Sequence, residues 1–288
     1  MKPPLVGAHM SITGGVWRAF ERGRLVGANC IQVFVKGTVQ WRAPRVTDED
    51  VEKFRQEQAR TGIPAVAAHA SYLVNLATAK KAVRLKSVEG LKVELGLAER
   101  YGIPWLVFHG GNHMGAGSGA GIANVAFGIS EALEAIEGSA GLALEMTAGA
   151  GTAVASRLEE AAEIIERAGG GKRIALCLDT AHLFAAGYDI RSDEGYAAFK
   201  RALRRLGLLR RVVVIHANDS KGALGSRVDR HTHIGKGNIG REAFARLMRD
   251  KDFARAPKIL ETPKGVCGRR NCDAVNIAVL RKLAMDRP

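Results

Sequence analysis

Short apolar segments recur along the chain, and the distances between them leave room for one helix each. The runs cover residues 4–8, 30–35, 65–68, 105–108, 142–144, 174–178, 212–215 and 259–260. Most are continuously apolar rather than alternating, which is typical of strands buried on both faces of a parallel sheet. The pattern therefore predicts eight parallel strands.

The segments between these runs carry helical signals. One helix is marked by an apolar stripe at i+3 and i+4 spacing, formed by Leu85, Val88, Leu91, Leu95 and Ala98. Two others are bounded by capping and stop residues, from Thr47 with Asp50 to Gly62 and from Ser156 with Glu159 to Gly169. Eight strand–helix units without an intervening linker predict an α/β fold, a single (β/α)8 TIM barrel over residues 1–288.

The residues that close the apolar runs are unusually rich in imidazole and carboxylate. In chain order they are His9, Lys36, His69, His109, Glu145, Asp179, His216 and Glu261. In a TIM barrel these positions meet at the C-terminal face of the strands, where barrel enzymes keep their active sites. So many polar groups in one mouth would repel one another or stay unsatisfied unless something bound them. A cluster of metal ions at this face is the simplest occupant.

Three further candidates lie just beyond strand ends. His182 follows Asp179 closely, and Asp229 and His231 share a later loop. An extended Asp-x-His places both side chains on one side of the backbone, so they could share a metal. Imidazole and carboxylate without thiolate suit zinc, with manganese or iron as alternatives.

The charge composition indicates what kind of partner the protein binds. The chain has 43 Lys and Arg against 29 Asp and Glu, a net charge of +14. Such an excess attracts polyanions, of which nucleic acid is the commonest. No apolar run is long enough for a transmembrane helix and the N-terminal residues lack the apolar core of a signal peptide, so we expect a soluble, cytoplasmic protein that does not bind membranes. Four cysteines do not form a disulfide framework, and the spacing of Cys267 and Cys272 fits no common metal or redox motif.

Several motifs, taken together and in order, resemble the endonuclease IV type of apurinic/apyrimidinic endonuclease, a zinc-dependent DNA-repair family. The resemblance spans nearly the whole chain and is strongest at 69–76, 145–149, 178–182, 216–221, 225–231, 235–240 and 260–262. It implies hydrolysis of the phosphodiester 5′ to an abasic site in duplex DNA, leaving a 3′-hydroxyl. No obligate protein partner is evident.

The resemblance also implies a trinuclear zinc site. His69, His109 and Glu145 would hold one ion. Glu145 would bridge to a second, completed by Asp179, His216 and Glu261, and His182, Asp229 and His231 would hold the third. The nucleophile would be a metal-activated hydroxide, with Glu145 and Glu261 as the catalytic carboxylates.

The same resemblance assigns DNA contacts to loops around the barrel mouth. Tyr72 and Leu73 would wedge into the duplex where the damaged nucleotide is flipped out. Lys221, Arg227 and Arg230 are candidates for phosphate contacts.

Two other functions are compatible with parts of the pattern. A metal-dependent sugar isomerase or epimerase of the related barrels would carry Glu, Asp, His and Glu at the same strand ends, but the set His182, Asp229 and His231 and the basic charge argue against it. A non-catalytic binder of damaged DNA would have no use for nine costly ligand-type residues.

One loop departs from the family pattern. Gly37 stands where the family usually has Asn, and Val39 stands where it often has the Arg that acts in the DNA wedge. These changes leave the metal ligands untouched but weaken the expected distortion of the duplex.

We therefore predict weaker discrimination between abasic and intact duplex than a typical member shows. Competition binding between the two duplexes measures this discrimination. A large preference for the abasic duplex would contradict the prediction.

Overall fold

Eight parallel strands close into a barrel, as the apolar runs predict. The computed structural model describes residues 3–286. Met1 and Lys2, the first residues of the segment tested for a signal peptide, lie outside it. The barrel strands are β1 (Val6–Met10), β2 (Ile31–Phe34), β3 (Ala65–His69), β4 (Trp105–His109), β5 (Gly141–Glu145), β6 (Ile174–Asp179), β7 (Val212–His216) and β10 (Lys258–Leu260). Consecutive strands pair in parallel, and β10 pairs with both β7 and β1 to close the ring. The predicted (β/α)8 TIM barrel is confirmed.

Helices fill the connections and cover the barrel. They are α1 (Arg18–Leu25), α2 (Asp48–Thr61), α3 (Lys81–Tyr101), α4 (Ser118–Ala135), α5 (Leu158–Arg167), α6 (Thr180–Ala185), α7 (Asp193–Arg205), α8 (Arg241–Arg249) and α9 (Cys272–Met285). Helix α2 has the predicted limits, because Thr47 and Asp50 form a reciprocal capping box and Gly62 ends the helix with a φ of 67°. No helix within residues 3–286 has an apolar stretch long enough to cross a bilayer.

The period-2 alternation of the strands explains how the polar strand ends meet. Small apolar side chains fill the inside of the barrel in one cluster that includes Ala67, Val107, Ala143, Cys177, Val214 and Ile259. Adding two to each number gives His69, His109, Glu145, Asp179, His216 and Glu261. Residues two apart on a strand point to the same face, so the polar side chains continue the inner face beyond the core.

Two short antiparallel pairs decorate the same end of the barrel. Strand β8 (Asp219–Ser220) pairs with β9 (His231–Thr232), and β11 (Val266–Cys267) pairs with β12 (Arg270–Asn271). The second pair carries a disulfide between Cys267 and Cys272. The spacing of these cysteines matched no common motif, because the hairpin that brings them together is defined only by tertiary structure.

Three local predictions need correction. His9 lies inside β1 rather than after it, because the strand continues to Met10. Helix α5 is capped by Glu160, whose carboxylate accepts the backbone N–H of Ser156, rather than by the predicted pair Ser156 and Glu159. Leu85 is 46% exposed, so it does not share the buried stripe of α3.

Lys36 has a structural role. Its Nζ lies 3.3 Å from Glu94 Oε1, and both side chains are 1% exposed. The other Glu94 oxygen accepts the backbone N–H of Ser71 at 2.9 Å. The ion pair therefore joins α3 to the loops that follow β2 and β3.

Removing one partner would leave a buried charge without compensation. We predict that Glu94→Ala lowers the free energy of unfolding by about 3–5 kcal/mol, as measured by urea denaturation. The control on the same helix is Glu89→Ala, because Glu89 is 70% exposed in its pair with Lys92; it should change stability by less than about 0.5 kcal/mol. Equal stability of the two variants would contradict the assigned role of the pair.

Candidate metal centre

Five of the nine residues predicted to bind metal are the last residues of consecutive strands. They are His69 on β3, His109 on β4, Glu145 on β5, Asp179 on β6 and His216 on β7. Glu261 directly follows β10, and His182 lies in α6, which begins directly after β6. Asp229 lies in the loop that leads into β9, and His231 is the first residue of β9. All nine meet at the C-terminal mouth of the barrel.

A first group forms around one oxygen of Glu145. The Nε2 atoms of His69 and His109 lie 3.1 and 3.5 Å from Glu145 Oε2. The Glu145 side chain is only 1% exposed.

A second group forms around the other oxygen. His216 Nδ1 lies 3.0 Å from Glu145 Oε1 and 3.2 Å from Glu261 Oε2. Ligand atoms of Asp179, together with those of these three residues, lie within 4.8 Å of one another. Glu145 thus presents one oxygen to each group, the arrangement of a bridging carboxylate.

A third group lies beside the second. His182 Nε2 is 3.2 Å from Asp229 Oδ2, and His231 Nε2 is 3.3 Å from Asp229 Oδ1. Asp179 Oδ2 is also 3.6 Å from His231 Nε2, so Asp179 stands between the second and third groups. The sequence placed Asp179 only in the second. Asp229 differs from the rest because its side chain is 54% exposed.

Four imidazoles are held in one tautomer by fixed oxygens. The Nδ1 atoms of His69, His182 and His231 face the backbone carbonyls of Ala70, Met146 and Glu261, and His216 Nε2 faces Gln32 Oε1. A carbonyl oxygen accepts only, so each of these nitrogens carries the proton. When a cation is bound, the opposite nitrogen of each ring can present its lone pair to it, as a metal-ligating histidine must.

The donor set and its spacing fit divalent cations. Tetrahedral zinc with bonds of about 2.0–2.1 Å places its ligand atoms about 3.3 Å apart, close to the 3.0–3.5 Å between the paired imidazole and carboxylate atoms of the three groups. The Nε2 atoms of His182 and His231 are buried and lie 3.2 and 3.3 Å from the Asp229 carboxylate, yet neither makes a hydrogen bond of acceptable geometry within residues 3–286. A cation would satisfy both nitrogens.

The electrostatics of the cluster point the same way. Burial would raise the pKa of Glu145, but His216 and His109 hold it well below its ordinary value. Burial would lower the pKa of His182, but Asp179 and Asp229 hold it well above. Glu145 therefore keeps its charge in this buried place because positive groups surround it.

Gln32 is a functional residue that the sequence did not reveal. Its Oε1 accepts from His216 Nε2 at 3.0 Å, and its Nε2 donates to Glu261 Oε1 at 2.8 Å. Its Nε2 also lies 3.1 Å from His9 Nδ1. The side chain is completely buried on β2. In the sequence, Gln32 is recognisable only as a polar residue within an apolar run.

Asn218 is the second residue of this kind. Its Nδ2 donates to Asp179 Oδ2 at 2.6 Å, and its Oδ1 accepts the backbone N–H of Glu261 at 2.8 Å. It therefore positions two ligands on different strands. In sequence it belongs to a matched motif that indicated only a loop.

Asp219, the next residue, organises the adjoining loop. Its carboxylate accepts backbone N–H groups from Ser220, Gly235, Gly237 and Ile239 at 2.8–3.0 Å. A Cβ on Gly237 would meet Ser220 O at 2.4 Å, so only glycine fits there. The motif at 235–240 thus has a structural explanation.

The mouth opens into a cavity of about 740 Å³ lined by the cluster and by loop residues that include Gly37, Thr38, Tyr72 and Lys264. Among the predicted DNA contacts, Tyr72 is 71% exposed and Leu73 is half-buried beside it. Lys221, Arg227 and Arg230 are exposed on the loop that carries Asp229. Val39 is 77% exposed next to Thr38. The loop after β2, where Gly37 and Val39 differ from the expected family pattern, therefore also reaches the rim.

Comparison with known proteins gives a consistent relationship. A family profile described as "Xylose isomerase-like TIM barrel" matches residues 20–282. A protein of Chloroflexus aurantiacus named "Probable endonuclease 4" is 47% identical over 281 residues, covering 97% of this chain and 98% of that protein. A protein of the same name from Geobacter sulfurreducens is 41% identical over 283 residues, covering 98% and 95%.

Solved structures extend the comparison. The crystal structure of endonuclease IV from Thermus thermophilus matches with a TM-score of 0.85 and 36% identity over 97% of this chain and 98% of that one. A D-tagatose 3-epimerase-like protein matches with a TM-score of 0.72 and 20% identity over 96% of each chain. The second likeness shows a shared fold alone.

Gln32 gives a test of the centre that does not depend on turnover. We predict that Gln32→Leu weakens metal binding by about 10- to 100-fold, the usual cost of removing a group that orients a ligand. Competition with a chromogenic chelator measures this affinity. Gln56→Leu on the exposed face of α2 is the matched control, and the prediction is wrong if both variants bind metal like the parent protein.

Proposed function

We infer the function of this chain from its family, because it belongs to the endonuclease IV family within the xylose isomerase-like TIM barrels. We propose that it is a metal-dependent DNA-repair endonuclease. It hydrolyses the phosphodiester on the 5′ side of an abasic site in duplex DNA and leaves a 3′-hydroxyl.

One observation carries this proposal. Nine imidazole and carboxylate side chains converge in three groups at the mouth of the barrel, and Glu145 and Asp179 each lie between two groups. The exposed side chains of Tyr72 and Lys264 line the cavity above them. A phosphodiester with an extrahelical sugar fits a cavity of this size.

The residues present fit three zinc ions, with manganese or iron as alternatives at one or more sites. His69, His109 and Glu145 would hold the first ion, and Glu145, Asp179, His216 and Glu261 the second. His182, Asp229 and His231 would hold the third, with Asp179 close by. Bound divalent cations supply a low pKa to coordinated water and neutralise charge on the phosphate.

Glu261 is suited to handling the proton of the attacking water. Its carboxylate is 20% exposed at the cavity, whereas Glu145 is buried. Gln32 and His9 contact Oε1 while His216 contacts Oε2, so both oxygens have fixed positions. The nine-residue cluster makes a nucleophilic side chain unnecessary.

The contacts with DNA are assigned to the loops around the barrel mouth. Lys221, Arg227 and Arg230 would contact phosphates, adding salt-dependent affinity without base specificity. Tyr72 and Leu73 would fill the gap left by the extruded sugar, a step that costs less at an abasic site than at an intact pair. Val39 would add an apolar contact where the family often has a cation.

The epimerase alternative shares the fold but not the third group. His182, Asp229 and His231 lie outside the strand-end quartet that a sugar epimerase needs. If this alternative were correct, the protein would convert ketoses with manganese present and would leave abasic DNA intact.

The decisive assay is cleavage of a duplex that contains one abasic analogue. We predict that His109→Ala lowers the cleavage rate by about a thousandfold or more, because charge stabilisation by a metal is worth several kcal/mol. Duplex affinity should stay within about threefold, because the phosphate contacts that dominate affinity lie on the loops. His113→Ala is the matched control, since His113 lies in the loop after β4, where its Nδ1 accepts the backbone N–H of Gly117, and does not line the cavity.

Prolonged chelation should abolish cleavage, and added zinc should restore it. Cleavage that survives chelation, or that does not return with any of the three metals, would overturn the proposal.

A further inference from the structure

A cluster of two cysteines and a histidine, Cys267, Cys272 and His233, lies at the rim outside the metal centre. Residues 263–272, here called the rim hairpin, connect the end of the β10 segment to α9 and contain β11 and β12. Pro263 and Lys264 at its base line the cavity. Its tip is closed by the disulfide between Cys267 and Cys272.

The surroundings of the two sulfurs favour thiolates. Cys267 is partly exposed between the exposed residues Val266 and Gly268, whereas Cys272 is 3% exposed. Cys272 is the first residue of the 14-residue helix α9, and the partial positive charge at a helix N-terminus favours an anionic sulfur. Arg269 and Arg270 lie between the two cysteines and add positive charge.

His233 adds a specific contact, and its tautomer can be deduced. The backbone N–H of Ile234 donates to Asn276 Oδ1 at 3.1 Å, so the NH₂ end of this amide faces His233 Nδ1 at 3.0 Å. Nδ1 therefore accepts, and the neutral ring carries its proton on Nε2. That Nε2 lies 3.6 Å from Cys267 Sγ.

This tautomer distinguishes two roles for the cluster. A metal bound by both sulfurs and His233 Nε2 would require Nε2 to lose the proton that Asn276 places there. A hydrogen bond from Nε2–H to a thiolate on Cys267 requires no change. The geometry favours thiol–disulfide chemistry over metal binding.

We propose that Cys267 and Cys272 form a reversible dithiol–disulfide site that exchanges with external thiols and disulfides, and that its oxidised state keeps the rim hairpin ordered for binding DNA. Cys267 is the sulfur open to attack, and His233 stabilises it as a thiolate.

The reduction is balanced with two external thiols. The first, as a thiolate, attacks Cys267 Sγ; the protein S–S bond breaks, and Cys272 Sγ leaves with the electron pair at the N-terminus of α9. The second attacks the external sulfur of the mixed disulfide, and Cys267 Sγ leaves as a thiolate facing His233 Nε2. At the end of the reaction, both cysteines are reduced and have taken up the two protons of the external thiols. The two external thiols are released as one disulfide. An external disulfide drives the reverse reaction.

The consequence for DNA rests on the proposed function. Lys264 pairs with Asp273, the neighbour of Cys272, at 2.9 Å, and Arg269 and Arg270 are exposed on the hairpin. Opening the disulfide frees the hairpin, so binding must order one or two long cationic side chains. We expect reduction to weaken duplex affinity by about threefold to tenfold.

The chemistry is tested first without DNA. The native protein is treated with an excess of dithiol, alkylated and mapped by mass spectrometry, with and without reoxidation by an external disulfide. We expect two modified cysteines, Cys267 and Cys272, and protection after reoxidation. Cys30 and Cys177 are internal controls, because both are completely buried and burial raises the pKa of each thiol to about 12.

The role of His233 is tested by the rate of exchange. His233→Leu should slow the exchange several-fold, and His233→Gln, which can present an N–H, should be closer to the parent rate. The site is refuted if the pair resists reduction until the protein unfolds. The proposal is also refuted if a bound metal ion protects the reduced cysteines from alkylation. In that case the number of metal ions bound per protein would be lower in the variant Cys267→Ser/Cys272→Ser.

The consequence is tested by fluorescence anisotropy of the metal-loaded protein with a duplex that contains a non-hydrolysable abasic analogue, so that no cleavage occurs. The oxidised protein should bind more tightly than the reduced protein, and Cys267→Ser/Cys272→Ser should match the reduced form under both conditions. Equal affinity of the two forms would refute the influence on DNA binding. Absence of duplex binding in both forms would instead refute the proposed function, because thiol exchange is measured independently.

Discussion

Four carboxylates in one largely buried mouth are the constraint on which this structure depends. Glu145 and Asp179 project from the neighbouring strands β5 and β6, Glu261 directly follows β10, and Asp229 approaches from a loop. Anions cannot remain together in a dry site without positive charge. Protonated imidazoles supply some of that charge when no cation is bound, as the raised pKa values of His182 and His216 indicate. Divalent cations satisfy the same demand and, in the proposed function, also serve the reaction.

Two features of the barrel hold these side chains in place: the alternation of the strands and hydrogen bonds from neutral groups. The alternation of the strands aims six polar side chains at one point, because each lies two residues beyond a small apolar residue of the inner core. Gln32 and Asn218 then fix the ligands laterally, each joining two ligands on different strands. Carbonyl oxygens of Ala70, Met146 and Glu261 set the protons of three imidazoles. The precision of the site therefore comes from backbone and amide groups that carry no charge.

The sequence predicted the barrel and the convergence of its strand ends because both follow from local periodicity. Apolar runs locate strands, and the residue after a run lies at the mouth whatever the tertiary details. The role of Gln32 could not be predicted this way, because its partners are 184 and 229 residues away in the chain. Lys36 occupied a strand end like the ligands, yet its partner Glu94 lies on a helix and makes it a structural residue. The contact of His233 with Cys267 was equally hidden, since it needs the loop before α8 and the rim hairpin to meet.

In the proposed function, the metal ligands and the DNA contacts lie on different parts of the fold, so the chain could differ from its family in one without losing the other. Six of the nine clustered residues lie at strand ends, where a shift in backbone would disturb the barrel itself. Val39, Tyr72, Arg227 and the rim hairpin lie on loops, whose replacement costs the core little. The exception is the loop from Lys221 to Arg230, which carries both Asp229 and the exposed cations. Its backbone is fixed on α6, where the N–H groups of Gly225 and Arg227 donate to Phe184 and Ala185. Contact of these cations with DNA phosphate would therefore bear directly on the position of Asp229, the most exposed residue of the third group.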